Sequence, residues 1–137
     1  MQFKFIYKIV VIWIFSLLSF STFAQAISRI EAPQLLQLIK NKEAPLILDV
    51  RTFEEFTAGH VQGAINIPFD ILSQDSSSLE KYKHKEIIVY CRSGRRASVV
   101  YQALVPLGFD KLIDLNGHMI QWEKLGYPLQ KGINKNQ

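Results

Sequence analysis

The chain has 137 residues, 48% of them hydrophobic, with 16 Lys and Arg against 12 Asp and Glu for a formal charge of +4, and one cysteine. The charge balance is too mild to argue for a nucleic-acid partner, and the length allows one domain with a modest core. A single cysteine excludes an intrachain disulfide.

The first segment, MQFKFIYKIVVIWIFSLLSFSTFAQA, places Lys4 and Lys8 ahead of an apolar run from Ile9 to Phe20, followed by the small residues Ala24 and Ala26. Charge, apolar core and cleavage site in that order predict a secretory signal peptide over 1–26, cut after Ala24 or Ala26. The alternative is an uncleaved anchor, because the run from Ile9 to Ala24 is near the lower limit for spanning a bilayer. No cysteine near the junction is available to accept lipid. The expectation is therefore an exported protein, periplasmic or secreted, with no stable membrane insertion after cleavage. Its domain is expected over 27–130, with a polar tail over 131–137. Loss of Lys4 and Lys8 lowers the formal charge from +4 to +2.

Ala32, Leu35, Leu36 and Ile39 repeat at i, i+3, i+4, i+7, which predicts a helix ending near Asn41, with Pro33 tolerated in its first turn. Leu46 to Leu48 form an apolar run without polar alternation, as in a strand buried on both faces. Glu54 to Ala58 predict a short helix stopped by Gly59, and Ala64 to Ile67 a brief apolar segment closed by Pro68. Gln74 to Lys85 is polar and reads as a loop with an irregular helix. Ile87 to Tyr90 is the clearest strand, and it runs straight into Cys91. Ala97, Val100, Tyr101, Leu104 and Val105 mark an amphipathic helix ended by Pro106 and Gly108. Leu112 and Ile113 predict one more strand, and Met119 to Leu125 a last short helix. Strands alternating with helices imply α/β architecture with right-handed crossovers.

In YCRSGRRASVVYQAL a cysteine stands at the carboxyl end of a buried strand with a helix close behind, which is the sheet edge where ligands bind in open α/β folds. If the loop curls around Cys91, the amides of Arg92 to Arg96 converge on its sulfur, and the helix terminus adds a favourable field for negative charge. Arg92, Arg95 and Arg96 add positive charge, Gly94 permits a tight turn and Ser93 supplies a hydroxyl donor. These effects favour a negatively charged, nucleophilic sulfur. The plainer readings are a buried small hydrophobe for Cys91 and a solvated basic patch for the arginines. Three arginines within five residues of a strand-end cysteine weigh against both.

CRSGRRA resembles the active-site loop of the rhodanese-like sulfurtransferases, in which a cysteine opens a six-residue turn ended by an arginine, here Cys91 to Arg96. DVRTFEEFTAGHVQGAINIP, from Asp49 to Pro68, resembles a second signature of that family, and Gly108-Phe109 and the segment from Gly117 to Trp122 extend the likeness over nearly the whole chain after residue 26. One departure stands out: the family commonly has Gly-Gly ahead of the tryptophan, where this chain has Gly117-His118.

The resemblance implies a rhodanese-like α/β fold, with a central, mostly parallel sheet flanked by helices on both faces. It implies a two-step reaction in which Cys91 attacks the sulfane sulfur of a donor such as thiosulfate, forms a persulfide and passes the sulfur to cyanide or a thiol. No metal or organic cofactor is required. Asp49, Arg51, Glu54, Glu55 and His60 are expected to support the site structurally, with Arg51 paired to Glu54 or Glu55 and His60 not acting as a base. His118 is expected near the pocket mouth and Trp122 in the core. His60, His84 and His118 with one cysteine do not make a metal site.

Two other functions compete. A non-catalytic interaction or sensing module on the same fold would not need Cys91 or a complete loop. A phosphatase or arsenate reductase would need an arginine six positions after the cysteine, where this chain has Ala97.

Overall fold

The computed structural model describes residues 26–133. The expected signal segment, Ala26 excepted, lies outside the described residues, as does the tail beyond 133.

Among the described residues, five parallel strands form one sheet in the order β1-β5-β4-β2-β3. In chain order these are β1 (Ser28–Ile30), β2 (Leu46–Asp49), β3 (Ile65–Asn66), β4 (Ile87–Tyr90) and β5 (Leu112–Leu115). Helices α1 (Ala32–Asn41), α2 (Phe53–Ala58), α3 (Phe69–Leu72), α4 (Arg95–Leu104) and α5 (His118–Lys124) connect or follow them, with 3₁₀ turns at Ser77–Tyr82 and Val105–Leu107. The predicted order of elements is found throughout. The chain also contains β1 and α3, which the sequence pattern did not announce.

β4 lies at the centre of the sheet between β2 and β5, and all four of its residues are buried. The alternation of a strand sends its side chains to opposite faces. Ile87 and Val89 enter a core with Val100 and Leu104 of α4 and Leu72 of α3. Ile88 and Tyr90 enter a second core with Leu35 of α1, Phe56 of α2 and Trp122 of α5. Burial on both faces explains the unbroken apolar runs of β2 and β4. Cys91 continues the alternation and points to the α4 face.

Helix starts are fixed locally. Thr52 caps α2 in a reciprocal pair: the Glu55 amide donates to Thr52 Oγ1 at 3.3 Å and the Thr52 amide to Glu55 Oε2 at 3.1 Å. Gly94, at φ +104°, caps α4 in a conformation that a side chain would strain. These two caps place the two loops that meet at Cys91.

Candidate active site

Cys91 lies one residue beyond β4, at the carboxyl edge of the sheet, and is 1% exposed. Its sulfur forms part of the floor of a cleft with Arg92, Ser93, Arg95, Arg96, Phe69 and Val99 around it. The Gly94 amide donates to Sγ at 3.0 Å, closing a tight turn from Cys91 to the start of α4. The first amides of α4 have no acceptor within their own helix. The Gly94 amide and the positive end of α4 thus face the Cys91 sulfur.

The six loop residues divide by position. Arg92 and Arg95 are exposed at the mouth, with Arg92 Nη1 only 3.9 Å from Glu123 of α5. Ser93 is exposed too and lines a second cleft beside the first. Arg96 turns back from the mouth. Its Nη1 and Nη2 donate to Glu55 Oε2 and Oε1 at 2.5 and 2.9 Å, a two-pronged link between the end of the loop and α2. The Arg96 hydrogen bonds push the Glu55 carboxyl down to about 2 against the opposing pull of burial, with help from the Thr52 backbone and the charges of Arg96 and Arg51.

The Asp49–Pro68 block forms the neighbouring strand end, but its ion pair differs from the expected one. Arg51 pairs with Asp49, not with Glu54 or Glu55. Arg51 Nε contacts both Asp49 oxygens at 3.0 Å, Nη2 donates to Oδ2 at 2.7 Å, and the same Nη2 donates to the Gly59 carbonyl at 2.7 Å. The Arg51 amide also donates to Asp49 Oδ1 at 2.9 Å. Arg51 reaches Asp49 because the chain is still extended at Val50, whose amide donates to the Tyr90 carbonyl, so residues 49 and 51 share a face, whereas Glu55 is drawn off by Arg96 and Glu54 sits on the exposed first turn of α2. Asn66 of β3 ties the Asp49 and Arg51 carbonyls together, at 2.9 Å each.

His60 is fully buried, stacked on Phe56 at 3.7 Å between ring centroids, and its Nδ1 lies 2.8 Å from the Phe56 carbonyl. It packs in the core opposite Cys91 and does not line the cysteine's cleft. Trp122 is buried with its indole N–H donated to the Pro128 carbonyl at 3.0 Å. His84 is exposed, 3.2 Å from Asp110.

His118 is the residue whose role sequence reasoning underestimated. It is 5% exposed, and its Nδ1 accepts the Cys91 backbone N–H at 3.2 Å. Beside it, Asp114 accepts the Tyr101 hydroxyl at 2.7 Å and lies 3.5 Å from Arg29. The sequence signal for this cluster was the histidine in place of the usual glycine. Asp114 and Tyr101 gave none, since they converge only when β5 and α4 are packed.

A family model described as a rhodanese-like domain matches residues 31–125. A crystal structure of a rhodanese-related protein from Thermoplasma volcanium superposes with a TM-score of 0.64 at 32% identity, covering 75% of this chain and 97% of that one. A protein named sulfurtransferase from Allochromatium vinosum is 27% identical over 75% of this chain and 94% of its own length. An uncharacterized protein from Synechocystis, slr1261, is 31% identical over 75% of this chain, which spans only 56% of that relative. The match of the model across most of the described residues, together with the shared five-stranded parallel architecture, shows that this chain belongs to the rhodanese-like domain family, a family of sulfur transfer.

Proposed function

We propose that the protein is a sulfurtransferase that carries a sulfane sulfur on Cys91, taking it from a thiosulfate-like donor and passing it to cyanide or a thiol. The observation that carries this reading is the hydrogen bond from the Gly94 amide to Sγ at the floor of an arginine-rimmed cleft. An amide aimed at a buried sulfur stabilises negative charge there, whether on the thiolate or on the terminal sulfur of a persulfide.

In the first step the Cys91 sulfur attacks the outer sulfur of thiosulfate, the donor S–S bond breaks, and sulfite departs with the bonding electron pair. In the second, the acceptor attacks the terminal sulfur of the persulfide and the Cys91 thiolate leaves with its electrons. No net redox change falls on the protein. Arg92 and Arg95 stand where the sulfonate end of the donor would lie, and Arg96 holds the loop from behind through Glu55.

The test is the intact mass after exposure to thiosulfate. One added sulfur atom is expected on the wild type and none on Cys91→Ser, with thiosulfate:cyanide transfer lost in the variant. Undiminished transfer by Cys91→Ser would refute the reading. The same reading places the reaction outside the cytoplasm, on the strength of Lys4, Lys8 and the apolar run from Ile9. Sequencing the mature N-terminus is expected to give Gln25 or Ile27, and Met1 retained in a membrane fraction would overturn it.

A further inference from the structure

His118 holds a backbone conformation that glycine adopts more readily. Its φ of +50° is in the left-handed region, which a residue bearing a Cβ adopts only with strain. The side chain is not spent on solvent. It lies under the Cys91 loop, and a Cβ on Gly94 would fall 2.7 Å from its Nε2, so ring and loop are in close contact.

The start of α5 grips the loop backbone through three successive residues. His118 Nδ1 accepts from the Cys91 amide at 3.2 Å, the Met119 amide donates to the Cys91 carbonyl at 3.1 Å, and the Ile120 amide donates to the Arg92 carbonyl at 3.2 Å. The two donors are backbone groups that any residue supplies. The acceptor is particular to this side chain, and a glycine at 118 would take it away from a buried N–H.

We propose that His118 is a positioning residue for sulfur transfer, which as a neutral imidazole fixes the backbone from Cys91 to Gly94 and on protonation of Nδ1 releases it. The proposal rests on the sulfur-transfer reading of Cys91. An Nδ1 that accepts must carry a lone pair, so the ring proton resides on Nε2, 3.4 Å from Asp114 Oδ1. A proton taken from solvent onto Nδ1 would set one N–H against another. The groups facing the ring are Asp114 on β5, whose Oδ1 also accepts from Tyr101 of α4, Arg29 on β1 beside Asp114 Oδ2, and Cys91 itself. Burial is the largest influence and disfavours the imidazolium. Asp114 favours it, Arg29 opposes it, and the balance holds His118 below its ordinary value of 6.5. The ring is therefore neutral at neutral pH and charges only in acid.

Two variants separate this role from mere packing. His118→Asn keeps an acceptor oxygen on a residue that tolerates positive φ, and it does not titrate. His118→Gly relieves the strain but removes the acceptor. The readouts are the pH dependence of thiosulfate:cyanide transfer and, without any donor, NMR titration of the His118 ring and of the Cys91 amide. In the wild type the Cys91 amide resonance is expected to move with the ring titration, below 6.5. The Asn variant is expected to retain most of the neutral-pH rate and to lose that inflection. The Gly variant is expected to lose roughly tenfold in kcat with little change in KM, as for a misplaced reacting group.

A Cys91 amide that ignores the ring titration, an inflection that survives in His118→Asn, or a Gly variant with wild-type kcat would overturn the proposal. A wild type that moves no sulfur while its Cys91 amide still follows the ring would count against sulfur transfer and in favour of the backbone coupling.

Discussion

The carboxyl ends of β2 and β4 lie side by side in the sheet, and each continues into a loop rich in charge. At β2 the charges are closed upon themselves. Asp49 is fully buried, Arg51 is 4% exposed, and the guanidinium spends its hydrogen bonds on that carboxylate and the Gly59 carbonyl. At β4 the sulfur is buried at the floor of a cleft, and two arginines at the mouth are exposed. The Asp49–Arg51 pair is turned inward on its own partners, whereas the Cys91 sulfur, held by the Gly94 amide, lies under an open rim. Charge density does not distinguish the two strand ends; what does is whether the polar groups already answer one another.

The comparison breaks most visibly by exchanging a perturbation between the two ends. Cys91→Ser is expected to reduce transfer to background while leaving the thermal midpoint near wild type. Arg51→Met is expected to leave Asp49 as an uncompensated buried charge and to destabilise the fold by about 3–5 kcal/mol, read by chemical denaturation. A stable Arg51→Met protein, or an unfolded Cys91→Ser protein, would undo the division of labour.

Next in size is Arg96→Ala. By freeing the end of the loop from Glu55, it is expected to lower kcat by about 10- to 100-fold, with a smaller change in KM. Steady-state kinetics measure it, and an unchanged kcat would show that the loop keeps its shape without the link to α2.

Smaller again is the double change Arg92→Ala with Arg95→Ala. Each arginine offers at most a rim contact to an anionic donor, so KM for thiosulfate is expected to rise several-fold, on the order of 3- to 10-fold, while kcat falls less. Wild-type protein is also expected to hydrolyse no phosphate ester, because the loop from Cys91 to Arg96 is one residue short for a tetrahedral phosphate. Ester hydrolysis abolished by Cys91→Ser would contradict this.

The smallest effect is on acid stability. Glu55 has its folded-state value lowered from 4.5 to about 2, so its contribution is complete above 4.5 and is lost as the pH falls from there toward 2. Urea titrations across that window are expected to show a shallower decline for Glu55→Gln than for wild type. Parallel declines would mean that the Arg96–Glu55 pair adds nothing to stability.

Which parts of this were legible in the sequence follows from the range of the interactions. Helical and strand periodicities are local, so α1, β2, β4 and α4 stood out. β1 did not, because an edge strand of three residues, Ser28-Arg29-Ile30, has no apolar run to read. α3 is a four-residue helix, too short for a period. The loop around Cys91 was readable because six consecutive residues carry it. Arg96 reaches Glu55 across 41 positions of sequence, and nothing local announces that choice over Arg51. The Arg51–glutamate pair was expected from the resemblance of this block to the family, whereas the extended chain at Val50 sets Arg51 on the same face as Asp49.

The chain beyond α5 returns across the domain as a strap. Gln130 and His60 exchange both backbone hydrogen bonds at 2.9 Å, and the Gly132 amide donates to the Thr57 carbonyl at 3.0 Å. Leu129 presses against Gly59, where an added Cβ would meet its Cδ1 at 3.1 Å. Since Gly59 also offers its carbonyl to Arg51, the strap bears on the backbone beneath the Asp49–Arg51 pair. The backbone contacts of the domain thus extend past residue 125, the end of the family-model match, to at least residue 132. A domain cut at residue 125 would lose these contacts and open a seam along α2.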